Sequence, residues 1–98
     1  MATLNKQIII GNIGKISQLK QTSKGVPVIN FSVAVNDGSK AQWFDVAVFG
    51  PNAINCAEYI FEGMLICVEG KSVFEDFNGI SKHKVIAEAV QFLSKKAS

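Results

Sequence analysis

Trp43-Phe44-Asp45-Val46-Ala47-Val48-Phe49-Gly50, running straight into Pro51-Asn52-Ala53-Ile54, is the stretch on which the fold turns. Residues 43–49 alternate with the period of two that a half-buried strand needs. Phe44, Val46 and Val48 form one wholly apolar face, suited to a core. Trp43, Asp45, Ala47 and Phe49 form the other, which carries a charge, the only Trp of the chain and a large Phe. Rings left on a wet face beside polar groups are what stacking of nucleic-acid bases requires. A plainer reading stands beside this one. A Trp near a strand end commonly caps the edge of a core, and Phe49 before Gly50 can close the bottom of a barrel. Taken alone, the strand favours the plainer reading; its surroundings shift the balance.

Downstream, residues 51–62 read as a helix. Gly50 caps it if Pro51 is the first helical residue, and Asn52 is the alternative cap. Ile54, Ala57, Ile60 and Phe61 recur at helical spacing as one apolar stripe, and Gly63 stands where a left-handed C-terminal cap belongs. Residues 64–70 read as a strand. Residues 73–77 and 81–89 flank Asn78-Gly79, the strongest two-residue hairpin signal in the chain, and residues 90–93 finish the last strand. Residues 94–98 are a short basic tail.

Upstream, residues 1–4 form a loose start and residues 6–13 a first strand. The strand is continued through Ile16 and Leu19, with Gly11 and Gly14 marking a bulge or sharp bend. A phosphate-cradling loop at these glycines lacks the helix that must follow it. Ser23-Lys24-Gly25 turns the chain into a second strand, residues 26–35. There Ile29, Phe31, Val33 and Val35 face one way and Asn30, Ser32, Ala34 and Asn36 the other. Asn36-Asp37-Gly38-Ser39 is the hairpin turn back into the strand at residues 42–49. Three strands, one helix and then further strands in so short a chain predict an all-β, five-stranded OB-type Greek-key barrel, with its single helix between strands 3 and 4. An SH3-like barrel lacks that helix, and a ferredoxin-like fold needs two.

Ninety-eight residues, 48% of them hydrophobic, fit one domain spanning 1–98. The longest early apolar run, Ile8-Ile9-Ile10, cannot cross a bilayer, and no signal-peptide pattern opens the chain, so a cytoplasmic location is expected. Cys56 and Cys67, with a single His, supply no zinc ligand set; both are expected to be small buried hydrophobes. The net charge of +2 is unevenly spread. Lys6, Lys15, Lys20 and Lys24 fall within the first 36 residues, which hold no acid, while the remainder holds six Lys against eight acids. A basic first third makes a positive stripe if its strands share a face, and an ordinary solvated surface if they do not. There is no Arg, which argues against bidentate reading of guanine edges. Lysine contacts to phosphate give affinity without sequence choice.

No catalytic constellation is visible, no cofactor is expected, and the chain reads as a non-enzyme. His83, flanked by Lys82 and Lys84, is a solvated strand residue or a phosphate or base contact. Glu75 and Asp76 point to opposite faces of a strand and cannot share a proton or a metal. Phe31, Phe44 and Phe61 belong to apolar stripes. Phe74 and Phe77 lie in a polar stretch near a hairpin tip, as base contacts or as a contact between subunits. With Trp43 and Phe49 they would line a groove for single strands, and Lys6, Lys15, Lys20, Lys71, Lys82 and Lys84 would meet phosphates.

Over nearly its whole length the chain resembles the bacterial and phage single-stranded DNA-binding protein family. The matching pieces are residues 5–14, residues 25–34, Trp43 with residues 46–50, Ala57-Glu58-Tyr59 with Gly63, Val68-Glu69-Gly70, and Val90-Gln91-Phe92-Leu93. The resemblance implies an OB fold that coats single-stranded DNA with little sequence preference and serves replication, recombination and repair. It also implies a homo-oligomer, a tetramer more often than a dimer, and contacts with other replication proteins. The positions of Trp43 and Phe49 stack on bases in the family, as does an aromatic of the late hairpin, matched by Phe74 or Phe77. Lys6 and Lys20 stand where the family has basic residues. Three departures matter. Phe44-Asp45 replaces a His-Arg pair and places an acid on the presumed binding face. The loop at residues 36–42 is short and lacks an aromatic. No acidic tail follows Lys95-Lys96-Ala97-Ser98, in a trimmed chain or a tail-less relative, so no recruitment through a tail is expected; the departures together imply weaker binding. The alternative is an adaptor like primosomal replication protein N, a dimeric relative of the same fold, which residues 78–82 somewhat resemble.

Overall fold

The computed structural model describes residues 6–94, and the side chains of all of these except Asp37, residues 75–77 and residues 80–82. Its elements are β1 (Gln7–Ile16), β2 (Lys20–Gln21), β3 (Pro27–Asp37), β4 (Lys40–Phe49), α1 (Pro51–Tyr59), β5 (Leu65–Phe77) and β6 (Ile80–Phe92). The sheet runs β1-β5-β6-β4-β3-β2, and β1 also pairs with β3, so the five long strands close into a barrel. All pairings are antiparallel except β4 with β6, which join in parallel at Val46–Val85 and Ala47–Ile86. The helix lies between the third and fourth long strands, as the element order predicts for an OB barrel.

β1 serves two neighbours because it bends. Residues 7–12 pair with β5, and residues 12–16 pair with β3 across a register shift between Ile13 and Ile16. Gly11 and Gly14 make this passage. A Cβ on Gly11 would run into the carbonyl of Ala34. The β1 end is then stitched to β3, where the Lys15 amide donates to Ser32 Oγ (2.9 Å) and the Ser17 amide to the Asn30 carbonyl (2.8 Å).

The core holds Ile9, Ile13, Ile29, Phe31, Val33, Val46, Val48, Ile66, Val68 and Val85, with Ala53, Cys56 and Met64 closing one end. The alternation read from β3 and β4 is the one that is buried. Phe44 and Phe61 pack against this core only partly buried. Ala47 is the exception on the other face: it is fully buried beside its register neighbours Asn30 and Ile86.

Several expectations need correction. The helix stops at Tyr59, not at residue 62, and Gly50 with Pro51 starts it. Its buried side chains are Ala53 and Cys56, whereas Ile54 is 46% exposed. The reason is room: a nine-residue helix across a barrel end approaches closely through small side chains, and Ile54 points outward. Gly63 is left-handed (φ 89°) but does not cap the helix; the cap is the extended Ile60. Gly63 instead turns the chain into β5, donating its amide to the Ile13 carbonyl (2.7 Å) and accepting from Asn12 Nδ2 (2.9 Å). The segments read as separate strands at 64–70 and 73–77 are one continuous β5, and the last strand, read over 81–93, is β6 from Ile80 to Phe92. Their irregularity between Glu69 and Gly70 is absorbed without a break. Asn78 (φ 51°) and Gly79 (φ 81°) turn this hairpin, as expected for Asn-Gly. Leu19 lies outside β1, and Cys67 is only half-buried. The loose start at residues 1–4 and residues 95–98 of the basic tail lie outside the described residues.

Candidate nucleic-acid interface

The pairing register decides which candidate residues meet. On β4, Trp43, Asp45, Ala47 and Phe49 share the outer face, and the β3 partners of the last three are Ser32, Asn30 and Val28. Val28 also pairs with Lys20 of β2, so Lys20 and Phe49 flank one residue on the same face. On the other side of β4, the Ala47–Ile86 pair leads to Lys71, the β5 partner of Ile86. One step earlier, Asp45 comes beside Lys84. One continuous surface of β2, β3, β4, β6 and β5 thus carries Trp43, Phe49, Lys20, Lys71, Lys84 and Asp45. Trp43 and Phe49 are six residues apart, roughly 20 Å along the strand.

Both rings face solvent. Trp43 is 61% exposed and Phe49 40%. Core capping, the plainer reading of Trp43, does not apply to an indole so open. What holds it is Gly14: a Cβ there would lie 2.5 Å from Trp43 Cζ3 and 3.0 Å from Cη2, so the six-membered ring rests on the glycine of the β1 bulge. The same point is 2.8 Å from Ser32 Oγ.

Beside this shelf opens a groove of about 570 Å³, lined by Lys15, Ser32, Asp45, His83 and Lys84 and reaching down to Phe31 and Val46. Among the described residues, two ammonium groups, one carboxylate and one imidazole border it. Phe74, 71% exposed, adjoins it through His83, its cross-strand partner. The rings of Phe74 and His83 are 5.2 Å apart, and Phe44 meets His83 edge-on at 5.9 Å. His83 Nε2 shares a hydrogen bond with Ser72 Oγ.

Not every candidate joins this surface. Lys6 forms an ion pair with Glu69, which pairs with Ile8 on the β1–β5 side of the barrel, and it is not among the groove residues. That carboxylate, by hydrogen bond and charge, raises the Lys6 pKa above its ordinary value. The side chains of Phe77 and Lys82 lie outside the described residues. The sequence reads His83 as a solvated residue or a phosphate or base contact, and Gly14 as a bulge or bend rather than the support of Trp43. The first signal was available: Phe74 and His83 are equidistant from the Asn78-Gly79 turn and so face each other in a two-residue hairpin. The second was not, because the Gly14–Trp43 contact joins the two strands that flank β3 and depends on the register of both pairings.

A second surface stands apart. Ile8 (60% exposed), Ile10 (53%), Leu65 (37%) and Leu93 (46%) lie on the outer side of the β1–β5–β6 sheet. Ile10 faces Cys67 there, and the Leu93 amide donates to the Leu65 carbonyl. Among the described residues no group of three or more His, Cys, Asp or Glu is placed to hold a metal ion, and no helix is long and apolar enough to cross a membrane.

Comparison with known proteins adds an independent line. A family model described as the single-strand binding protein family matches residues 4–93. A single-stranded DNA-binding protein of Oceanobacillus iheyensis is 29% identical over 107 residues, covering 97% of this chain and 66% of the relative. A namesake from Helicobacter hepaticus is 32% identical over 108 residues, covering 96% and 64%. One from Staphylococcus aureus is 30% identical over 107 residues, covering 97% and 69%. A deletion variant of the single-stranded DNA-binding protein from Thermus aquaticus superposes with a TM-score of 0.81 at 22% identity, covering 97% of this chain and 43% of that one. The chain therefore spans about two thirds of the length of these curated relatives and less than half of the Thermus chain.

Proposed function

We propose, from the premise that this chain belongs to the single-strand binding protein family, that it binds single-stranded DNA with little sequence preference. The observation that carries this reading is the exposed indole of Trp43, seated on Gly14 at the edge of a groove that Lys15 and Lys84 border. Every base has a π-face, so stacking on Trp43, Phe49 and Phe74 gives roughly 1–3 kcal/mol per base without choosing among bases. Ammonium groups of Lys15, Lys20, Lys71 and Lys84 meet phosphates and release counterions. Phe77 and Lys82 extend the same hairpin and are carried as further contacts. Lys6, already paired with Glu69, contributes less. The chain acts as one binding domain, needs no cofactor, and catalyses no reaction. Its setting is cytoplasmic DNA replication, recombination and repair, beside other replication proteins.

The outer β1–β5–β6 face supports self-association: four large aliphatic side chains left open together are what a second copy of the same chain can cover. We carry the tetramer ahead of the dimer. This face is separate from Trp43, which favours DNA binding over an adaptor whose aromatic surface is itself the subunit contact.

One experiment tests the reading. Trp43 emission is followed while oligo(dT) is added at several salt concentrations, and the particle mass is measured by light scattering. Quenching that weakens steeply with salt is expected. In Trp43→Ala, followed by fluorescence anisotropy of labelled oligo(dT), binding weakens by roughly 5- to 150-fold and the mass is unchanged. Unaltered emission at saturating DNA and low salt overturns the reading. A variant that loses its oligomer instead supports the adaptor.

A further inference from the structure

We infer that His83 is a proton-linked contact of the groove: an imidazole that, once protonated, adds one positive charge where the strand passes Phe74. The inference rests on the proposed binding of single-stranded DNA and goes beyond it, to a residue that the stacking and lysine contacts do not include.

The geometry is specific. His83 lines the groove together with Lys15, Asp45 and Lys84. Phe74 of β5 and Phe44 of β4 pack against its ring at 5.2 and 5.9 Å, and Ser72 of β5 holds Nε2. A hydroxyl can donate to a neutral ring nitrogen or accept from a protonated one, so this hydrogen bond survives a change of charge. The ring therefore keeps its place while its charge changes. A cation within about 6 Å of a ring centroid is held by that ring's quadrupole, and Phe74 lies inside that distance. Histidine is the side chain that changes charge between pH 5 and 8.

The other charges around His83 set the sign of the effect. Lys15 of β1 and Lys84 of β6 are cationic, and Asp45 of β4 is anionic. Beyond Phe74, Glu75 and Lys82 are a cross-strand pair of opposite charge. Among the described residues, two ammonium groups against one carboxylate leave the groove weakly positive. An added imidazolium, held in place, then strengthens the pull on a passing phosphate, and binding tightens as pH falls.

The test is a titration of the intact chain with oligo(dT) at about pH 8 and about pH 5.5, each over a salt series. In wild type, the slope of log K against log salt should be steeper at the lower pH by roughly 0.7, the value for one further phosphate neutralised on a single strand. In His83→Gln the two slopes should coincide. A pH-dependent slope that persists in His83→Gln overturns the inference, as does a wild type that binds at pH 8 with a slope indifferent to pH. No binding at either pH overturns the underlying function as well, so the two failures are distinguishable. Should His83→Gln fail to fold, the wild type suffices. The chain has one His, so a single imidazole resonance reports its titration midpoint. That midpoint should rise when oligo(dT) saturates the protein, and an unmoved midpoint overturns the inference.

Discussion

Gly14→Ala is a small change whose consequence the geometry makes large. The added methyl would sit 2.5 Å from Trp43 Cζ3, 3.0 Å from Cη2 and 2.8 Å from Ser32 Oγ. Carbon atoms rest comfortably at about 3.5–4.0 Å, so the indole must lift by roughly 1 Å. It is free to do so, because its outer side faces solvent. Two terms oppose each other in stability. Crowding costs about 1–3 kcal/mol, and replacing a strand glycine returns about 0.5–1 kcal/mol of backbone entropy. The variant should therefore fold, with a loss of at most roughly 2.5 kcal/mol. Binding should suffer more visibly. A displaced platform that forfeits half of a stacking interaction of about 1–3 kcal/mol weakens binding by roughly 2- to 13-fold. The salt slope should not change, since no charge is altered. The assay is oligo(dT) titration by anisotropy, with Trp43 emission recorded on the free protein. A folded variant with wild-type emission and wild-type affinity would refute the claim that Gly14 seats the indole. Pairing the substitution with Trp43→Ala closes a double-mutant cycle: once the indole is gone, Gly14→Ala should have no further effect on binding.

Asp45→Asn removes a carboxylate that borders the groove with Lys15 and Lys84; oligo(dT) affinity at low salt should rise by roughly fivefold, and the gain should fade as added salt shortens the screening length. An unchanged affinity would mean that phosphates do not pass Asp45. Burial of Cys56 pushes its thiol from an ordinary 9.0 up to about 11. The unfolded chain releases that proton first, so the contribution to stability is whole below about pH 9 and is lost as pH rises towards 11. Urea midpoints at pH 8 and pH 10.5 should fall further apart in wild type than in Cys56→Ala; equal differences would show that the thiol does not contribute.

The barrel was legible because its rules are local. The alternation of Ile29-Phe31-Val33-Val35 and of Phe44-Val46-Val48 assigns a core face with no knowledge of the partner strand, since side-chain direction in a strand repeats every two residues. Asn78-Gly79 marks its hairpin because the turn needs positive φ at both positions. The helix was misjudged where locality fails. Its hydrophobic spacing favoured Ile54, yet the shallow space under a barrel end admitted Ala53 and Cys56.

By itself, then, the amino-acid order determined the strands, the single helix, the core faces, and which rings and lysines were left over. Tertiary structure alone decided which of those leftovers meet. Closure of the barrel brought Gly14 under Trp43, set Lys15 beside Lys84 across unrelated strands, and drew Lys6 away to Glu69. Such meetings depend on register and curvature, which arise from the packing of all the strands at once and are written in no single segment.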